Sequence, residues 1–260
     1  MGAAAIHPSA VVDPGARLGA DVRVGPFCWV GPEAALGDGV VLDSHVRVDG
    51  RTTLGRGVRV HHGAALGGPP QDLKFRPGTM SSLAVGEGTV VREYATLHVA
   101  SDEGAATRVG SHCLLMAYTH VAHNTVVGDH VILANGVQLA GYVTVEDHAI
   151  IGGLVPVHQF VRIGCHAMIG GGFRVPQDVA PYVRAGGSPL RPIGLNLVGL
   201  RRRGFSAETL AALDRAYRLL FRRGLTVAEA TERIRAEVPP GPEVDHFVRF
   251  ALASERGLAR

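Results

Sequence analysis

Isoleucine, leucine or valine recurs at every sixth position through most of this 260-residue chain. One unbroken run extends from Ile6 to Leu66, a short one from Val85 to Leu97, and a long one from Val109 to Val175. A period of six differs from the 3.6-residue period of a helix and from the two-residue alternation of a strand. It is typical of hexapeptide repeats, in which each hexad forms one side of a triangular coil and its aliphatic residue points inward. The pattern predicts a mainly β fold, a parallel β-helix.

The last quarter of the chain has a different character. Glycine becomes sparse, and apolar residues such as Leu210, Leu213 and Tyr217 recur at helical spacing. Thr226 and Glu229 have the spacing of a capping box, which predicts the start of another helix. We therefore expect two domains, a hexapeptide-repeat β-helix over residues 1–187 and a C-terminal α-helical domain over residues 188–260.

Composition excludes several classes of protein. The N-terminal residues lack the apolar core of a signal peptide, and no apolar run is long enough to span a membrane. Three cysteines are too few for a disulfide framework, and a net charge of +3 is too small to indicate nucleic-acid binding. We expect a cytoplasmic protein with no integral membrane segment and no cofactor.

The repeat is interrupted twice. Val85 follows Leu66 by 19 residues, so about 13 residues are extruded, and Val109 follows Leu97 across a polar hexad around Glu103. With three hexads per coil, residues 18 apart lie one above the other as neighbouring strands. This count puts Glu103 below Val121 and both loops, about 67–84 and 98–108, at one edge of the prism. Long loops in a regular solenoid are more often functional than ornamental.

Polar side chains collect at the same edge. His120, His123 and Asn124 lie at the end of one hexad, and the count of 18 places Gly141 directly above His123, with Gln159 above Gly141. A histidine base can deprotonate a nucleophile, and a backbone N–H with no side chain in the way can stabilise an oxyanion. This arrangement favours acyl transfer.

A second set of histidines is also spaced by 18, namely His112, His130, His148 and His166. Such a ladder is open to two interpretations. One is a metal site between subunits, as in the hexapeptide-type carbonic anhydrases, and the other is a stacked surface or interface ladder. We favour the stacked ladder and expect no metal site, because no oriented ligand set is evident from the sequence.

The chain resembles the bacterial UDP-N-acetylglucosamine acyltransferases over nearly its whole length. The matching segments are Gly25–Cys28, Gln71–Lys74, Ala122–His123, Ile132–Asn135, Leu139–Gly141, Val157–Phe160, Gln177–Tyr182 and Arg202–Ser206. The resemblance implies a left-handed β-helix, although right-handed crossovers are the general rule. It also implies a homotrimer that moves a 3-hydroxyacyl chain from acyl carrier protein to the glucosamine 3-position of UDP-N-acetylglucosamine, the first step of lipid A biosynthesis.

The same resemblance assigns roles to individual residues. His123 matches the general base and Gly141 the oxyanion amide. Asp72 and Lys74 match substrate contacts, and Gly171 matches the position that measures acyl-chain length, as in members that accept longer chains. The other matches are three cleft residues, His120, His158 and Gln159, and three nucleotide contacts, Asn196, Arg202 and Arg203. The basic helical domain also suits docking of the acidic carrier protein.

Three positions depart from the family pattern. Asn124 stands where an aspartate commonly follows the catalytic histidine, Tyr142 replaces a common histidine, and Val198 replaces a common glutamate. These departures keep open an acceptor sugar with a 3-amino group, which would give an amide.

Three other functions also stay open. The acyltransferase of the next glucosamine intermediate is disfavoured, because it usually carries an N-terminal domain and the repeat here starts at Ile6. A trimeric metal-dependent hydratase is the alternative from another class of enzyme. A non-catalytic scaffold is disfavoured by the polar edge.

Overall fold

The computed structural model describes residues 2–260. Its strands form three sheets, in which every third strand of the chain joins the same sheet. Sheet 1 contains β1 (Ala5–Ile6), β4 (Arg23–Val24), β7 (Val41–Leu42), β10 (Arg59–Val60), β13 (Val90–Val91), β16 (Leu114–Leu115), β19 (Ile132–Leu133), β22 (Ile150–Ile151), β25 (Met168–Ile169), β26 (Val183–Gly186) and β27 (Arg191–Leu195).

Sheet 2 contains β2 (Val11–Val12), β5 (Trp29–Val30), β8 (Arg47–Val48), β11 (Ala65–Gly68), β14 (Thr96–His98), β17 (His120–Val121), β20 (Gln138–Leu139) and β23 (Pro156–Val157). Sheet 3 contains β3 (Arg17–Leu18), β6 (Ala35–Leu36), β9 (Arg51–Leu54), β12 (Ser82–Val85), β15 (Ala106–Val109), β18 (Val126–Val127), β21 (Thr144–Val145) and β24 (Arg162–Ile163). Strand pairing is parallel throughout, except that β26 and β27 form an antiparallel pair. The prediction of a parallel β-helix is confirmed.

The aliphatic residue of each hexad fills the interior of the prism. Leu42, Leu97, Leu133 and Ile151 are at most 1% exposed, and the same holds for most residues at this position. Burial of each such side chain contributes about 1.5–3 kcal/mol to folding. The stacked aliphatic columns therefore hold together a solenoid whose strands are mostly two residues long.

The prism has three edges, which we name by what they carry. The cleft edge joins sheet 2 to sheet 3 and contains His123, and the ladder edge joins sheet 3 to sheet 1 and contains His130. The third edge joins sheet 1 to sheet 2 and contains Gly171. Each edge includes residues with positive φ, among them Asn124 and His130. Residues at the same turn position in successive coils lie one above the other, so their side chains stack in vertical columns.

The 18-residue count gives the correct register within each run but a wrong one across the second loop. The structure pairs Leu97 with Val121 and Val85 with Val109, so the hexad around Glu103 forms no side of the prism. That hexad is extruded instead, because its polar residues have no place in the aliphatic interior. Both loops run from sheet 2 to sheet 3, the first between β11 and β12 and the second between β14 and β15, and so leave at the cleft edge.

Four helices follow the sheets, namely α1 (Leu197–Arg202), α2 (Ala207–Arg222), α3 (Val227–Glu237) and α4 (Pro242–Leu252). The capping box expected from the sequence is present, with Thr226 and Glu229 bonded to each other's backbone N–H groups. The division of the chain at residue 187 stays a prediction, since β27 extends sheet 1 beyond that point. Within residues 2–260, no helix is both long and apolar enough to cross a membrane.

The helices dock against the ladder edge. The Nε2 atom of His246 in α4 lies 2.7 Å from Oε2 of Glu146, and the backbone N–H of Cys165 donates to the same oxygen at 2.9 Å. The neighbouring Cys165 sulfur and Glu146 carboxylate raise the pKa of His246 to about 10, against the opposing effect of burial. A charged contact therefore joins α4 to the prism at neutral pH.

Candidate active site

His123 lies at the cleft edge, between β17 and β18, with its side chain 15% exposed. Its Nδ1 atom is 3.0 Å from Oδ1 of Asn124. Asn124 has a φ of 58°, a conformation that asparagine adopts more readily than most residues, and its N–H donates to Oγ1 of Thr107. The turn thus holds the Asn124 amide beside the ring of the preceding histidine.

The hydrogen bonds around this amide determine which ring nitrogen of His123 carries the proton. The backbone N–H of Ser101 donates to Oδ1 of Asn124 at 2.9 Å, and a backbone N–H can only donate. The atom facing both Ser101 and His123 is therefore the amide oxygen, and Nδ1 of His123 must donate to it. In the neutral ring, Nε2 is then the unprotonated nitrogen and is available as a base.

The second loop supplies a carboxylate to the other end of the same amide. Nδ2 of Asn124 donates to Oδ2 of Asp102 at 2.9 Å, and the hydroxyl of Tyr142 donates to that oxygen at 2.8 Å. The ring of Tyr142 lies edge-on to His123, with ring centroids 5.3 Å apart. Asn124 and Tyr142, which both depart from the family pattern, therefore donate to the same carboxylate oxygen of Asp102.

The Nε2 side of His123 faces the cleft. Oδ2 of Asp72, from the first loop, is 3.9 Å from Nε2, and Oδ1 of Asp72 accepts the N–H of Lys74 at 2.9 Å, which holds the loop in a turn. Gly141 lies one coil above, as the count of 18 predicted. A Cβ atom at Gly141 would lie 2.5 Å from Cε1 of His123. Within the described chain, the N–H of Gly141 donates to no protein acceptor.

Two cavities meet at His123 and Gln71, which line both. The smaller cavity, of about 360 Å³, extends over the outer face of sheet 2 and exposes more apolar than polar surface. Its lining combines Ala122, Leu139, Ala140, Gly141, Pro156 and Val157 with the polar side chains of Gln71, His98, His120, His123 and Gln138. The larger cavity, of about 910 Å³, is more polar and is lined by Asp72, Lys74, Ser101, Asp102, Tyr142, Gln159 and others. The base is thus placed between an apolar groove and a polar cleft.

Two further histidines line the smaller cavity next to His123. Burial, and then the positive charge of His120 and His123, lowers the pKa of His98 to about 4. Burial, and then His123, also lowers the pKa of His120, whose Nδ1 lies 2.7 Å from Oγ1 of Thr96. Both rings are therefore neutral at pH 7. Nδ1 of His98 is buried without a hydrogen-bond partner among the described residues.

The structure brings together six of the residues expected at the site: Asp72, Lys74, His120, His123, Gly141 and Gln159. His158 is on the same edge, but its Nδ1 contacts Arg256 at 3.1 Å. Gly171 lies at the third edge, across sheet 2 from His123, and next to Gly153.

The three expected nucleotide contacts lie elsewhere, beside the ladder edge. Asn196 is 3% exposed, caps α1 and donates to the carbonyl of His166 at 3.0 Å. Arg203 is close enough to His148 and His166 for its charge to lower the pKa of both, after the larger effect of burial. Arg202 is the last residue of α1, and Val198, which replaces a common glutamate, is an exposed residue of the same helix. In a single chain these residues do not line either cavity.

Sequence reasoning gave no role to several residues at the site. Gln71 and His98 line the smaller cavity, and Ser101 and Asp102 hold the Asn124 amide. The signal that pointed toward Ser101 and Asp102 was the polar hexad of the second loop. Their partner could not be read from it, because an extruded loop has no fixed register against the coils.

The histidine ladder is a column of stacked rings. Centroids of successive rings from His112 to His166 are 4.7–5.2 Å apart. In residues 2–260, one set of three His, Cys, Asp or Glu ligand atoms lies within 4.8 Å, and it is Glu146, Cys165 and His246 rather than members of the ladder. The ladder therefore has the geometry of the stacked arrangement that the sequence favoured.

Comparison with known protein families gives matches over both parts of the chain. Residues 106–141 match the bacterial transferase hexapeptide family of six repeats. Residues 178–259 match domain 2 of the UDP-N-acetylglucosamine O-acyltransferases. The acyl-[acyl-carrier-protein]–UDP-N-acetylglucosamine O-acyltransferase of Myxococcus xanthus is 48% identical over 258 residues, which cover 99% of this chain and 100% of the relative. The enzyme of the same name from Thermodesulfovibrio yellowstonii is 43% identical over 98% of this chain and 99% of its own.

Solved structures agree with these relatives. A UDP-N-acetylglucosamine acyltransferase from Bacteroides fragilis superposes with a TM-score of 0.95 at 37% identity, covering 98% of this chain and 100% of that one. The structure of the corresponding protein from Acinetobacter baumannii gives a TM-score of 0.94 at 41% identity, covering 98% and 99%. The fold is accordingly the left-handed parallel β-helix with C-terminal helices. On the full-length identity and the matching fold, this chain belongs to the acyl-carrier-protein-dependent UDP-N-acetylglucosamine O-acyltransferase family.

Proposed function

We propose that this chain transfers a 3-hydroxyacyl group from acyl carrier protein to the 3-hydroxyl of UDP-N-acetylglucosamine, as the first step of lipid A biosynthesis. One observation carries the proposal. The unprotonated Nε2 of His123 faces the junction of an apolar groove and a polar cleft, next to the unoccupied N–H of Gly141. An acyl thioester and a sugar hydroxyl that met there would have a base and an oxyanion donor within reach.

The proposed reaction needs only two protein groups, Nε2 of His123 and the N–H of Gly141. Nε2 of His123 accepts the proton of the sugar hydroxyl while the oxygen attacks the thioester carbonyl, and the carbonyl oxygen takes the negative charge. The N–H of Gly141 donates to that oxyanion. The intermediate then collapses, the C–S bond breaks, and the carrier thiolate takes the proton back from Nε2. The ring returns to its starting state, and the ester bond remains on the sugar.

The lining of the two cavities supports one substrate in each. The smaller, apolar groove over sheet 2 suits the acyl chain, which would run from His123 toward the third edge. The location of Gly171 at that edge supports a role in measuring the length of the chain. The larger cleft suits the nucleotide sugar, with Lys74, Gln159 and Asp72 as polar contacts. His120 and His158 complete the predicted substrate contacts.

We further propose a homotrimer with its sites between subunits. The cleft and the predicted nucleotide contacts, Asn196, Arg202 and Arg203, lie on different edges of one chain. One nucleotide could touch both sets only if the ladder edge of one copy faced the cleft edge of another. A closed ring of three copies would satisfy this for every chain.

The acyl carrier protein and the compartment are parts of the same proposal. The exposed arginines Arg215, Arg218 and Arg222 of α2, together with Arg223 at its C-cap, offer a basic surface to an acidic carrier protein. The three cysteines of this chain are free, as expected for a protein in the reducing cytoplasm.

An assay with two acceptors tests the function. Purified protein is incubated with 3-hydroxyacyl carrier protein thioesters of different lengths and with either the natural sugar nucleotide or its 3-amino analogue. We expect an alkali-labile ester from the hydroxyl acceptor. An alkali-resistant amide formed only from the amino analogue would replace the O-acyltransferase with the N-acylating alternative. Absence of transfer from every thioester, together with zinc in the purified protein, would instead favour a metal-dependent hydratase.

A further inference from the structure

The position after the base, Asn124, carries a neutral amide where the family commonly has a carboxylate. The nearest carboxylate on this side of His123 belongs to Asp102 of the second loop, one hydrogen bond further away. We propose that Asp102 is a positioning residue for His123 and acts through the Asn124 amide. This inference rests on the proposed function, because it assumes that His123 is the base.

Every hydrogen bond in the connection has one allowed direction. Two donors of Ser101, its N–H and its Oγ–H, both lie 2.9 Å from Oδ1 of Asn124. The amide is therefore fixed with its oxygen toward Nδ1 of His123 and its NH₂ toward Oδ2 of Asp102. The amide dipole then has its negative end at His123 and its positive end at the Asp102 carboxylate, so each member strengthens the next.

A second contact leads from Asp102 to the same ring. The Tyr142 hydroxyl donates to Oδ2 of Asp102 at 2.8 Å and lies 3.3 Å from Oγ of Ser101, while its ring packs edge-on against His123. One carboxylate oxygen thus anchors both the amide that holds Nδ1 and the aromatic ring that limits rotation of the imidazole. Tyr142 takes over part of the positioning at a place where the family commonly has histidine.

The charge of Asp102 acts in partly solvated surroundings, because its side chain is exposed in the single chain. Water screens such a charge, so orientation of the amide accounts for more of the effect than long-range attraction to an imidazolium. Outer hydrogen-bond partners of metal-bound histidines are worth about 10–100-fold in affinity or activity, and we use the same scale for a catalytic histidine. For the charge of Asp102 we expect the lower end, about tenfold in kcat.

Exchanging the two residues isolates this role. In the double variant D102N/N124D, the new carboxylate at 124 still accepts from Ser101 and from Nδ1 of His123. The new amide at 102 donates to that carboxylate, so the hydrogen bond between positions 102 and 124 is kept with its direction reversed. The Tyr142 hydroxyl, which donates to the same oxygen of Asp102 in the unaltered protein, has to turn and accept from the new NH₂ group. The single variant N124D instead puts two carboxylates at a distance of about 3 Å, where like charges repel.

The kinetics of three variants test the role of Asp102. Asp102→Asn lowers kcat about tenfold and leaves KM for the nucleotide sugar within about twofold, because the residue acts on the base and not on substrate. The exchange variant recovers to within about threefold of the unaltered enzyme. Glu103→Gln is the matched control on the same loop, since its carboxylate accepts from Met80 and does not reach Asn124. It should leave kcat unchanged.

The proposal would be overturned by an exchange variant that is no more active than either single variant. It would also be overturned by an Asp102→Asn enzyme that has a normal kcat, or whose only change is a higher KM. A measurement without turnover separates this from failure of the proposed function. In ¹⁵N NMR spectra, His123 should be a single Nδ1–H tautomer in both the unaltered protein and Asp102→Ala, because Ser101 fixes the amide oxygen. The Nδ1–H proton should exchange with water faster in Asp102→Ala, because the Asn124 amide then lacks its second anchor. An unchanged exchange rate in that variant would refute the role of Asp102 even if no acyl transfer were observed.

Discussion

The cleft edge and the ladder edge of this prism both carry histidines, yet they are different environments. At the cleft edge, Nδ1 of His123 is held by Asn124 and Nε2 faces open space. At the ladder edge, His130 stacks between His112 and His148, with centroids 5.2 and 4.8 Å away, and is exposed to solvent. The difference does not come from the histidines themselves.

What separates the two edges is the source of the partners. Both extruded loops leave the prism at the cleft edge, and they bring Asp72, Ser101 and Asp102 to His123. The ladder edge receives no loop from within the repeat. It receives the helical domain, through Asn196, His246 and the Phe205 ring, whose centroid lies 5.1 Å from that of His166. A histidine on a solenoid becomes a candidate base where the chain interrupts the repeat to supply partners.

The strongest test of this comparison is a pair of alanine variants. Loss of general-base assistance in His123→Ala should lower kcat by about 10²–10⁴-fold. His130→Ala, on the ladder edge, removes a stacked ring that holds no base, so its kcat should fall far less than that of His123→Ala. Because this edge is also proposed to face a neighbouring copy, sedimentation should verify that the variant is still oligomeric. Circular dichroism would verify that both variants are folded. Comparable losses in the two variants would remove the distinction between the edges.

Gly141→Ala tests the cleft edge one coil above the base. The added methyl would lie 2.5 Å from the His123 ring and would crowd the N–H that is proposed to hold the oxyanion. We expect a loss of about 10²–10³-fold in kcat with little change in thermal stability. Gly31→Ala is a suitable control on the same edge, because its Cβ would meet the nearest atom at an ordinary 3.4 Å. Normal kinetics for Gly141→Ala would exclude an oxyanion role.

Arg202→Ala and Arg203→Ala ask whether the ladder edge contributes to a site on a neighbouring copy. Contacts to phosphates remote from the reacting carbon bind the ground and transition states alike, so KM for the nucleotide sugar should rise about tenfold with kcat nearly unchanged. Arg235→Ala, an exposed arginine of α3, should leave KM as it is. An unchanged KM in both α1 variants would assign these arginines to the solvated surface.

Coexpression sharpens the same prediction. A chain with His123→Ala and a chain with Arg203→Ala should form mixed oligomers in which some sites have both residues intact. Activity above that of either variant alone, measured at nucleotide-sugar concentrations well below KM, indicates a site between subunits. No recovery in mixed oligomers of verified composition would place the whole site within one chain.

The smallest expected effect concerns the docking of α4 at the ladder edge. The folded state raises the pKa of His246 to about 10, above its ordinary value of 6.5. The resulting stabilisation is fully present below pH 6.5 and is lost as the pH rises through about 10. The difference in Tm between the unaltered protein and His246→Ala should therefore shrink between pH 6.5 and 10. Glu146→Gln should weaken this pH dependence only in part, because the Cys165 sulfur also raises the pKa of His246. A difference in Tm between the unaltered protein and His246→Ala that stays constant with pH would contradict the charged contact.

The sequence by itself determined the repeating part of the protein. Hexad spacing fixes which residues point inward, and parallel pairing places residues 18 apart in neighbouring coils one above the other. The position of Gly141 above His123 could therefore be predicted by counting. The capping box at the start of α3, between Thr226 and Glu229, was similarly local. These features depend on neighbours along the chain or one coil away, whose geometry the pattern specifies.

Only the tertiary structure decided what lies outside the repeat. Glu103 was counted below Val121, but Leu97 occupies that place, and the loop released by this shift brings Asp102 to Asn124. Asn196 and Arg203 matched nucleotide contacts by resemblance, and the structure places them at the other edge. Extruded loops and docked helices have no periodic register against the prism. Their positions follow from particular side-chain contacts between distant parts of the chain, and no spacing in the sequence encodes those contacts.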